Sequence, residues 1–227
     1  FHFLVAEIYF ELSKKNNANG KYPSLAKYHL EKALKLNIND EKSHALLGEL
    51  LLAYTKYKEA IEHFNASLKI EYNQAKTHML MGYAFKQLGQ EDDAINCFRN
   101  AVNVDPEYKE AFVQLGQMFH LRGDTTAALY YDNALQLDST DEMTLYNKAL
   151  FYQSIMQWNT ALEAYAALHK VNVFHSSGHY NIGFIHMELG LYDVAANNFS
   201  DAIYGNSGFY EAYYSRGNCF ETLGNIA

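Results

Sequence analysis

Three columns of small residues recur along the chain with a nearly constant period of about 34 residues. The first column holds Gly48, Gly82, Gly116, Ala149, Gly183 and Gly217. The second holds Ala26, Ala60, Ala94, Ala128, Ala161 and Ala195, and the third holds Ala33, Ser67, Ala101, Ala134, Leu168 and Ala202. Columns that keep register over six periods are typical of a repeat protein, in which one small supersecondary unit stacks on the next.

Within each period the apolar residues follow helical spacing, three, four or seven positions apart. In the period that begins at residue 41, Leu47 and Leu51 share one stripe, and Ala60 and Phe64 share another. The small residues of the first two columns predict that two antiparallel helices cross closely. The larger residues Phe64, Phe98, Tyr165 and Phe199 are expected to fill the space towards the next helix pair.

Helix ends are also marked in the sequence. A glycine falls where the first helix of a period must stop, as is common at helix C-termini. These glycines are Gly89, Gly123, Gly190 and Gly224. Asp105 precedes Pro106, which disfavours the α conformation at Asp105 and so ends the second helix of its period.

This arrangement resembles the tetratricopeptide repeat (TPR) family, whose unit is a helix–turn–helix of about 34 residues. The copy at residues 75–108 carries the resemblance through Leu80, Gly82, Phe85, Gly89, Ala94, Phe98, Ala101 and Pro106. The resemblance covers nearly the whole chain. It implies an all-α fold, a right-handed α-solenoid of antiparallel helix pairs, with about thirteen helices and no sheet.

The register divides residues 1–227, taken as a single array, into about six and a half repeats. We place the repeats at 1–40 (a variant), 41–74, 75–108, 109–141, 142–175 and 176–209, with a half-repeat at 210–227. The chain begins at Phe1 rather than Met and stops at Ala227 within the pattern, so we interpret it as a fragment of a longer protein.

Three departures from the register need explanation. Ala6 and Ala26 lie further apart in the sequence than the equivalent pair Gly48 and Ala60, which predicts an exposed loop around 14–20 within the first repeat. One residue is missing between Ala128 and Ala134. A deletion inside a helix rotates the following residues by about 100°. Either that helix is over- or underwound, or a residue of the real chain is absent from the sequence.

The third departure is a pair of cations in an otherwise apolar column. Lys148 and Arg216 stand where other repeats carry Leu47, Met81 or Ile182. Long cationic side chains can reach water from such positions, but they weaken the expectation of a core there.

In TPR arrays the first helices line a concave inner surface, so the resemblance implies which residues face inward. Residues expected on this surface include Ala45, Glu49, Lys76, Met79, Tyr83, Gln117, Tyr146, Tyr180, Phe184, Tyr214 and Asn218. Tyr146, Tyr180 and Tyr214 hold the same position in successive repeats, and a polar column of Gln114, Asn147, Asn181 and Ser215 runs beside them. Tyrosine gives a large contact area with few rotors, and an amide both donates and accepts.

These columns predict a non-catalytic scaffold that binds an extended peptide or a partner helix in the groove. The candidate binding residues are Tyr83, Gln114, Gln117, Tyr146, Asn147, Tyr180, Asn181, Phe184, Tyr214 and Asn218. Two alternatives stay open. The tyrosines and asparagines could serve packing alone, or the array could be the regulatory or substrate-recruiting region of a larger enzyme.

Several other functions are not expected. A carboxylate clamp for chaperone C-termini needs Lys, Arg and Asn where this chain has Ala45, Met79 and Val113. A net charge of −8 argues against nucleic acid as a partner. No apolar run is long enough for a membrane span. Cys97 and Cys219 form no disulfide framework or nucleophilic site.

No metal or cofactor is expected either, because there is no phosphate-binding loop and no set of metal ligands. His175 and His179 lie one helical turn apart, but His175 falls at a turn between repeats. We interpret His44, His78 and His179, which share a column, as packing residues. The final helix at 210–223 carries Phe220 and Leu223 without a following helix, which predicts a partly exposed flank through which the chain could self-associate.

Overall fold

A computed structural model describes residues 1–15 and 20–224, and these segments contain thirteen α-helices and no strand. The helices are α1 (His2–Lys15), α2 (Lys21–Leu36), α3 (Glu41–Ala53), α4 (Tyr57–Ile70), α5 (Ala75–Gln87), α6 (Glu91–Val104), α7 (Lys109–Leu121), α8 (Thr126–Leu137), α9 (Glu142–Ser154), α10 (Trp158–Val171), α11 (Ser176–Glu188), α12 (Tyr192–Gly205) and α13 (Tyr210–Thr222). The predicted all-α solenoid fold is confirmed. The individual repeat boundaries remain a prediction.

The helices group into two compact units, Phe1–Leu115 and Gly116–Ala227, whose boundary falls inside α7. In unit 1 the hairpins α1/α2, α3/α4 and α5/α6 stack in order, with α2 against α3 and α4 against α5. In unit 2, α8 packs on α9, α10 on α11 and α12 on α13. One buried cluster in unit 1 extends from Ala6 to Cys97, so its core is continuous across the hairpins.

The glycine of the first column lies against an aromatic ring from the second helix of the same hairpin. A Cβ atom at Gly48, Gly82 or Gly116 would lie 2.6 Å from the ring of Phe64, Phe98 or Tyr131, respectively. The predicted close crossing therefore exists. However, these rings cover the glycine of their own hairpin, rather than only filling space towards the next pair as we expected.

The first helices end in the left-handed conformation. Gly89, Gly123 and Gly190 have φ angles of 72°, 66° and 75°. Thr55 and Met156 hold the same position in other repeats, with φ angles of 58° and 57°. Two non-glycine residues therefore occupy a backbone conformation that costs an L side chain about 1–2 kcal/mol.

Helix α1 extends into the segment that we predicted as a loop in the first repeat. Helix α1 continues through Lys14 and Lys15, so these two residues are helical and the prediction of a loop is wrong for them. Gly20 precedes α2 with a φ angle of 65°. The rest of the predicted loop, residues 16–19, lies outside the described residues.

The one-residue deletion lies in the turn before α8, not inside the helix. Ala127, Tyr131 and Ala134 are fully buried, with the same spacing as Ala94, Phe98 and Ala101 in α6. Ala128 is only partly buried, so our assignment of Ala128 to the second column is wrong. The segment from Gly123 to Ala127 is one residue shorter than the equivalent segment from Gly89 to Ala94.

The side chain of Asp124 shapes this shorter turn. Its Oδ1 accepts a hydrogen bond from the backbone N–H of Thr126 at 2.9 Å. The N–H of Ala127 donates to the carbonyl of Asp124, whereas the equivalent N–H of Ala94 donates one position further back, to Gln90. The helix therefore starts in register without any change of winding, and neither of our two explanations is needed.

The cations in the apolar column reach polar partners. Lys148 Nζ lies 2.6 Å from Asp132 Oδ1, and the Lys148 side chain is 25% exposed. Arg216 Nη1 donates to Ser200 Oγ at 3.1 Å. The aliphatic part of each side chain stays in the helix interface, and its charged group lies at the edge of that interface.

Candidate functional site

Successive first helices contact one another in addition to their hairpin partners. These contacts join α1 to α3 and α3 to α5 in unit 1, and α11 to α13 in unit 2. Within the described part of each unit, no two second helices come together to the same extent. The first helices therefore form the inner row within each unit, which is where the sequence predicts the binding residues.

The inner row of unit 1 contains a cavity of about 360 Å³ between α1, α3 and α5. Ala45, Glu49 and Lys76 line it, as expected, together with Lys42. The Glu49 carboxylate lies 2.6 Å from Lys76 Nζ and 3.5 Å from Lys14 Nζ. Met79 is only 2% exposed, so the expectation that it lines this surface is wrong.

Tyr83 and Gln114 are partly buried in unit 1. The ring of Tyr83 meets that of Phe98 edge to face, with centroids 5.7 Å apart. Burial raises the pKa of Tyr83, and Glu110 raises it further. Lys86 Nζ donates to Gln114 Oε1 at 2.8 Å, and burial lowers the pKa of Lys86. The amide oxygen of Gln114 therefore already has a cationic partner.

The three tyrosines of unit 2 differ in exposure. Tyr146 is half-buried, with its ring centroid 5.0 Å from that of His175. Tyr180 is also half-buried, and its ring centroid lies 4.9 Å from that of Phe209. Tyr214 is 73% exposed. Two of the rings are thus held by packing between helices, while the third is free on the surface.

The polar column beside the tyrosines is mostly buried. Asn181 is 9% exposed, and its Nδ2 donates to the hydroxyl of Tyr146 at 3.1 Å. Ser215 is 8% exposed. Asn147 Nδ2 is buried without a hydrogen-bond partner. Asn181 finds its acceptor, Tyr146, in the preceding repeat. In the sequence, the residue that stands in the same relation to Asn147 is Val113, which has no hydroxyl.

The remaining candidates are partly exposed side chains on first helices. Gln117 lies on α7, Phe184 on α11 and Asn218 on α13. The described contacts give none of these three side chains a specific polar partner. Their roles in binding stay a prediction.

Comparison with known proteins identifies the repeat. Residues 82–123 match the family model described as the TPR repeat. The crystal structure of YrrB, described as a TPR protein with an unusual peptide-binding site, superimposes with a TM-score of 0.71 at 18% sequence identity. That match covers 82% of this chain and 97% of the YrrB chain. Residues 82–123 are therefore a TPR repeat, and the chain has the TPR fold.

Other solved structures match this TPR chain over similar lengths. The crystal structure of MamA gives a TM-score of 0.67 at 22% identity, covering 72% of this chain and 96% of that one. The pilF protein of Pseudomonas aeruginosa gives a TM-score of 0.71 at 17% identity, covering 96% and 99%. These are likenesses of fold. No curated protein matches this TPR chain in sequence.

The histidines of the TPR first helices close the turns between repeats. His44 Nε2 pairs with the carbonyl of Ile38, and His78 Nε2 pairs with that of Tyr72, both at 3.0 Å. His179 Nε2 pairs with the carbonyl of Val173 at 2.7 Å. Because a carbonyl only accepts, each Nε2 carries the proton, so these residues do more than fill space.

His175, the other histidine of the candidate metal pair, caps a helix. Its Nδ1 accepts from the N–H of Gly178 at 3.0 Å, at the start of α11. Across residues 1–15 and 20–224, no three His, Cys, Asp or Glu side chains are grouped to hold a metal ion. Of the helices described, none combines the length and apolar character that crossing a membrane requires.

A groove on the second-helix side of unit 1 was not expected from the sequence. This cavity of about 700 Å³ lies between α2, α3 and α4, with Lys27, Glu31, Glu59 and His63 at its polar rim and Leu51 at its apolar base. No sequence signal marks it, because it depends on the gap between second helices of neighbouring repeats.

Proposed function

We propose that this TPR protein is a non-catalytic scaffold that binds an extended peptide or a partner helix along the first helices of unit 2. The observation that carries the proposal is the in-register placement of Tyr146, Tyr180 and Tyr214, which ends in a side chain that is 73% exposed. A tyrosine ring supplies a large contact area at low entropic cost. The likeness to YrrB, described as having a peptide-binding site, supports this role.

In this proposal the three tyrosines have different roles in binding. Tyr214 is the anchor that a partner covers. Tyr146 and Tyr180 offer only the exposed parts of rings that their neighbours already hold in place. Asn181 orients the hydroxyl of Tyr146 through the 3.1 Å hydrogen bond, so it acts on the partner through the tyrosine.

The other candidates lie on first helices of the two units. In unit 2, Phe184 and Asn218 share helices with Tyr180 and Tyr214, and we propose them, together with Gln117 of α7, as further contacts. In unit 1, we propose Tyr83 and Gln114 as contacts of that unit alone. The amide nitrogen of Asn147 is buried, so Asn147 would contact a partner only after its side chain moved.

A selection experiment tests the proposal. Peptides selected from a random display library against the immobilised chain are measured by fluorescence anisotropy with the wild type and with Tyr214→Ala. Loss of an aromatic anchor is expected to weaken binding by about tenfold or more. The melting temperature should barely change, because the ring is largely exposed.

Tyr204→Ala is the matched control, since Tyr204 is 79% exposed but lies at the end of a second helix, α12. It should bind like the wild type. Tyr146→Phe should weaken binding less than Tyr214→Ala. Equal affinity of Tyr214→Ala and wild type for every selected peptide would contradict the proposal.

A further inference from the structure

Two imidazole rings stack where the end of α10 meets the start of α11. The ring centroids of His169 and His179 are 4.0 Å apart, and the ring planes are inclined by 31°. His169 Nε2 and His179 Nδ1 are both buried and have no hydrogen-bond partner. This contact joins the second helix of one hairpin to the first helix of the next.

The hydrogen bond of His179 determines which tautomer the neutral ring adopts. Its Nε2 donates to the Val173 carbonyl, so a neutral ring has a bare Nδ1. The neighbouring His169 Nε2 is also buried without a hydrogen-bond partner, and a positive charge on His169 in such a site is costly.

Charged and titratable groups around the stack come from several helices. His175, which precedes α11, and His179 on α11 face His169, and a Cβ at Gly178 would lie 3.2 Å from both His169 Nε2 and His175 Nδ1. On α12, Asp201 Oδ2 lies 4.0 Å from His179 Nδ1, and its side chain is 63% exposed. On α10, Lys170 follows His169 in the sequence and is exposed. From α9, Tyr146 contacts His175.

We infer that the His169–His179 contact is an acid-sensitive junction, which holds α10 against α11 only while His169 is neutral. Burial, followed by the neighbouring His179 and His175, lowers the pKa of His169 to about 4, and Asp201 opposes this shift. An exposed histidine has a pKa of about 6.5. Between these two values the opened junction binds more protons than the closed one, so falling pH favours opening.

The size of the effect follows from the same linkage. The stabilisation by neutral His169 is complete above about pH 6.5 and is lost as the pH falls towards about 4. For one such group the opening equilibrium constant should rise roughly 30-fold between pH 7.5 and pH 5.

Amide hydrogen exchange on the whole chain measures the junction directly. Opening constants for residues 158–188 are determined at pH 7.5 and pH 5, after correction for intrinsic exchange rates. We expect a rise of about tenfold or more in the wild type, and a change of less than about threefold in His169→Phe, whose ring keeps the stack but cannot be protonated. Glu163→Gln, which removes an exposed carboxylate on α10, should leave the rise unaltered.

A second measurement needs no variant. The titration of His169 in the wild type, followed by NMR, should have a midpoint well below the pKa of about 6.5 that an exposed histidine shows. An ordinary midpoint, or equal protection of residues 158–188 at the two pH values, would overturn the inference.

Discussion

At the scale of single residues, the crossing of each helix pair depends on a missing side chain. Gly82 leaves the space that the Phe98 ring occupies, and a Cβ there would meet that ring at 2.6 Å. Gly217 belongs to the same column in the sequence, yet a Cβ there would meet nothing within 4 Å. The same residue type therefore has opposite energetic consequences at two equivalent positions.

Gly82→Ala and Gly217→Ala form a matched pair that tests this difference. Gly82→Ala should lower the free energy of unfolding by roughly 1–3 kcal/mol, because Phe98 is fully buried and has to shift. Gly217→Ala should raise it by roughly 0.5–1 kcal/mol, because alanine favours a helix more than glycine does. Urea denaturation measures both changes, and equal effects of the two substitutions would contradict the explanation.

Met156 offers a second test at this scale. It is 72% exposed and has a φ angle of 57°, where other repeats have glycine. Met156→Gly should raise the free energy of unfolding by roughly 0.5–1 kcal/mol, since relief of strain exceeds the added entropy of the unfolded chain. Thermal melts measure the change. Gly190→Ala places a Cβ at a φ angle of 75° and should shift the melting temperature in the opposite direction.

At the scale of elements, a short turn before α8 keeps the buried residues of α8 in register with those of the other repeats. Asp124 caps the turn by accepting from the N–H of Thr126, and this hydrogen bond lowers the pKa of Asp124. The helix that follows keeps Tyr131 over Gly116 and Ala134 in the core. Changes of length are thus tolerated in the turn because no buried side chain is rotated there.

Two single-residue insertions test this account. An alanine inserted between Gly123 and Asp124 restores the length of the other turns, and should change the free energy of unfolding by less than about 1 kcal/mol. An alanine inserted between Ala128 and Leu129 rotates Tyr131 by about 100° out of the core, and should cost more than about 3 kcal/mol. Urea denaturation measures both. If both insertions cost the same, the turn is not where the register is adjusted.

At the scale of the whole molecule, the last described helix leaves apolar side chains at the surface. Phe220 is 41% exposed and Leu223 is 42% exposed. Exposed apolar side chains that lie together often mark an interface. We propose that this flank supports self-association of the chain.

Sedimentation of the chain at rising concentration tests self-association. We expect reversible dimers whose dissociation constant rises by about tenfold or more in the double variant Phe220→Glu and Leu223→Glu. Leu129→Glu is the matched control, because Leu129 is 59% exposed on α8, away from this flank. A chain that sediments as a monomer at every concentration would contradict the proposal.

The sequence by itself determined the repeat, the helix pairs and the helix ends. Gly82 and Phe98 lie on consecutive helices, so their fit belongs to a single hairpin and appears in the sequence as a column. Gly89 and Gly123 mark the ends of first helices because a left-handed residue is a local backbone requirement. Such local contacts recur from one period to the next, which is why the sequence shows them.

Only the tertiary structure decided which repeated side chains are free to bind. Tyr146 and Tyr214 are equivalent in the sequence, but Tyr146 packs against His175 while Tyr214 is exposed. Met79 was expected on the inner surface and is buried, and the His169–His179 stack has no counterpart in the repeat register. These outcomes depend on the side chains that neighbouring repeats bring together, and periodicity carries no information about such contacts because each neighbour's residues differ.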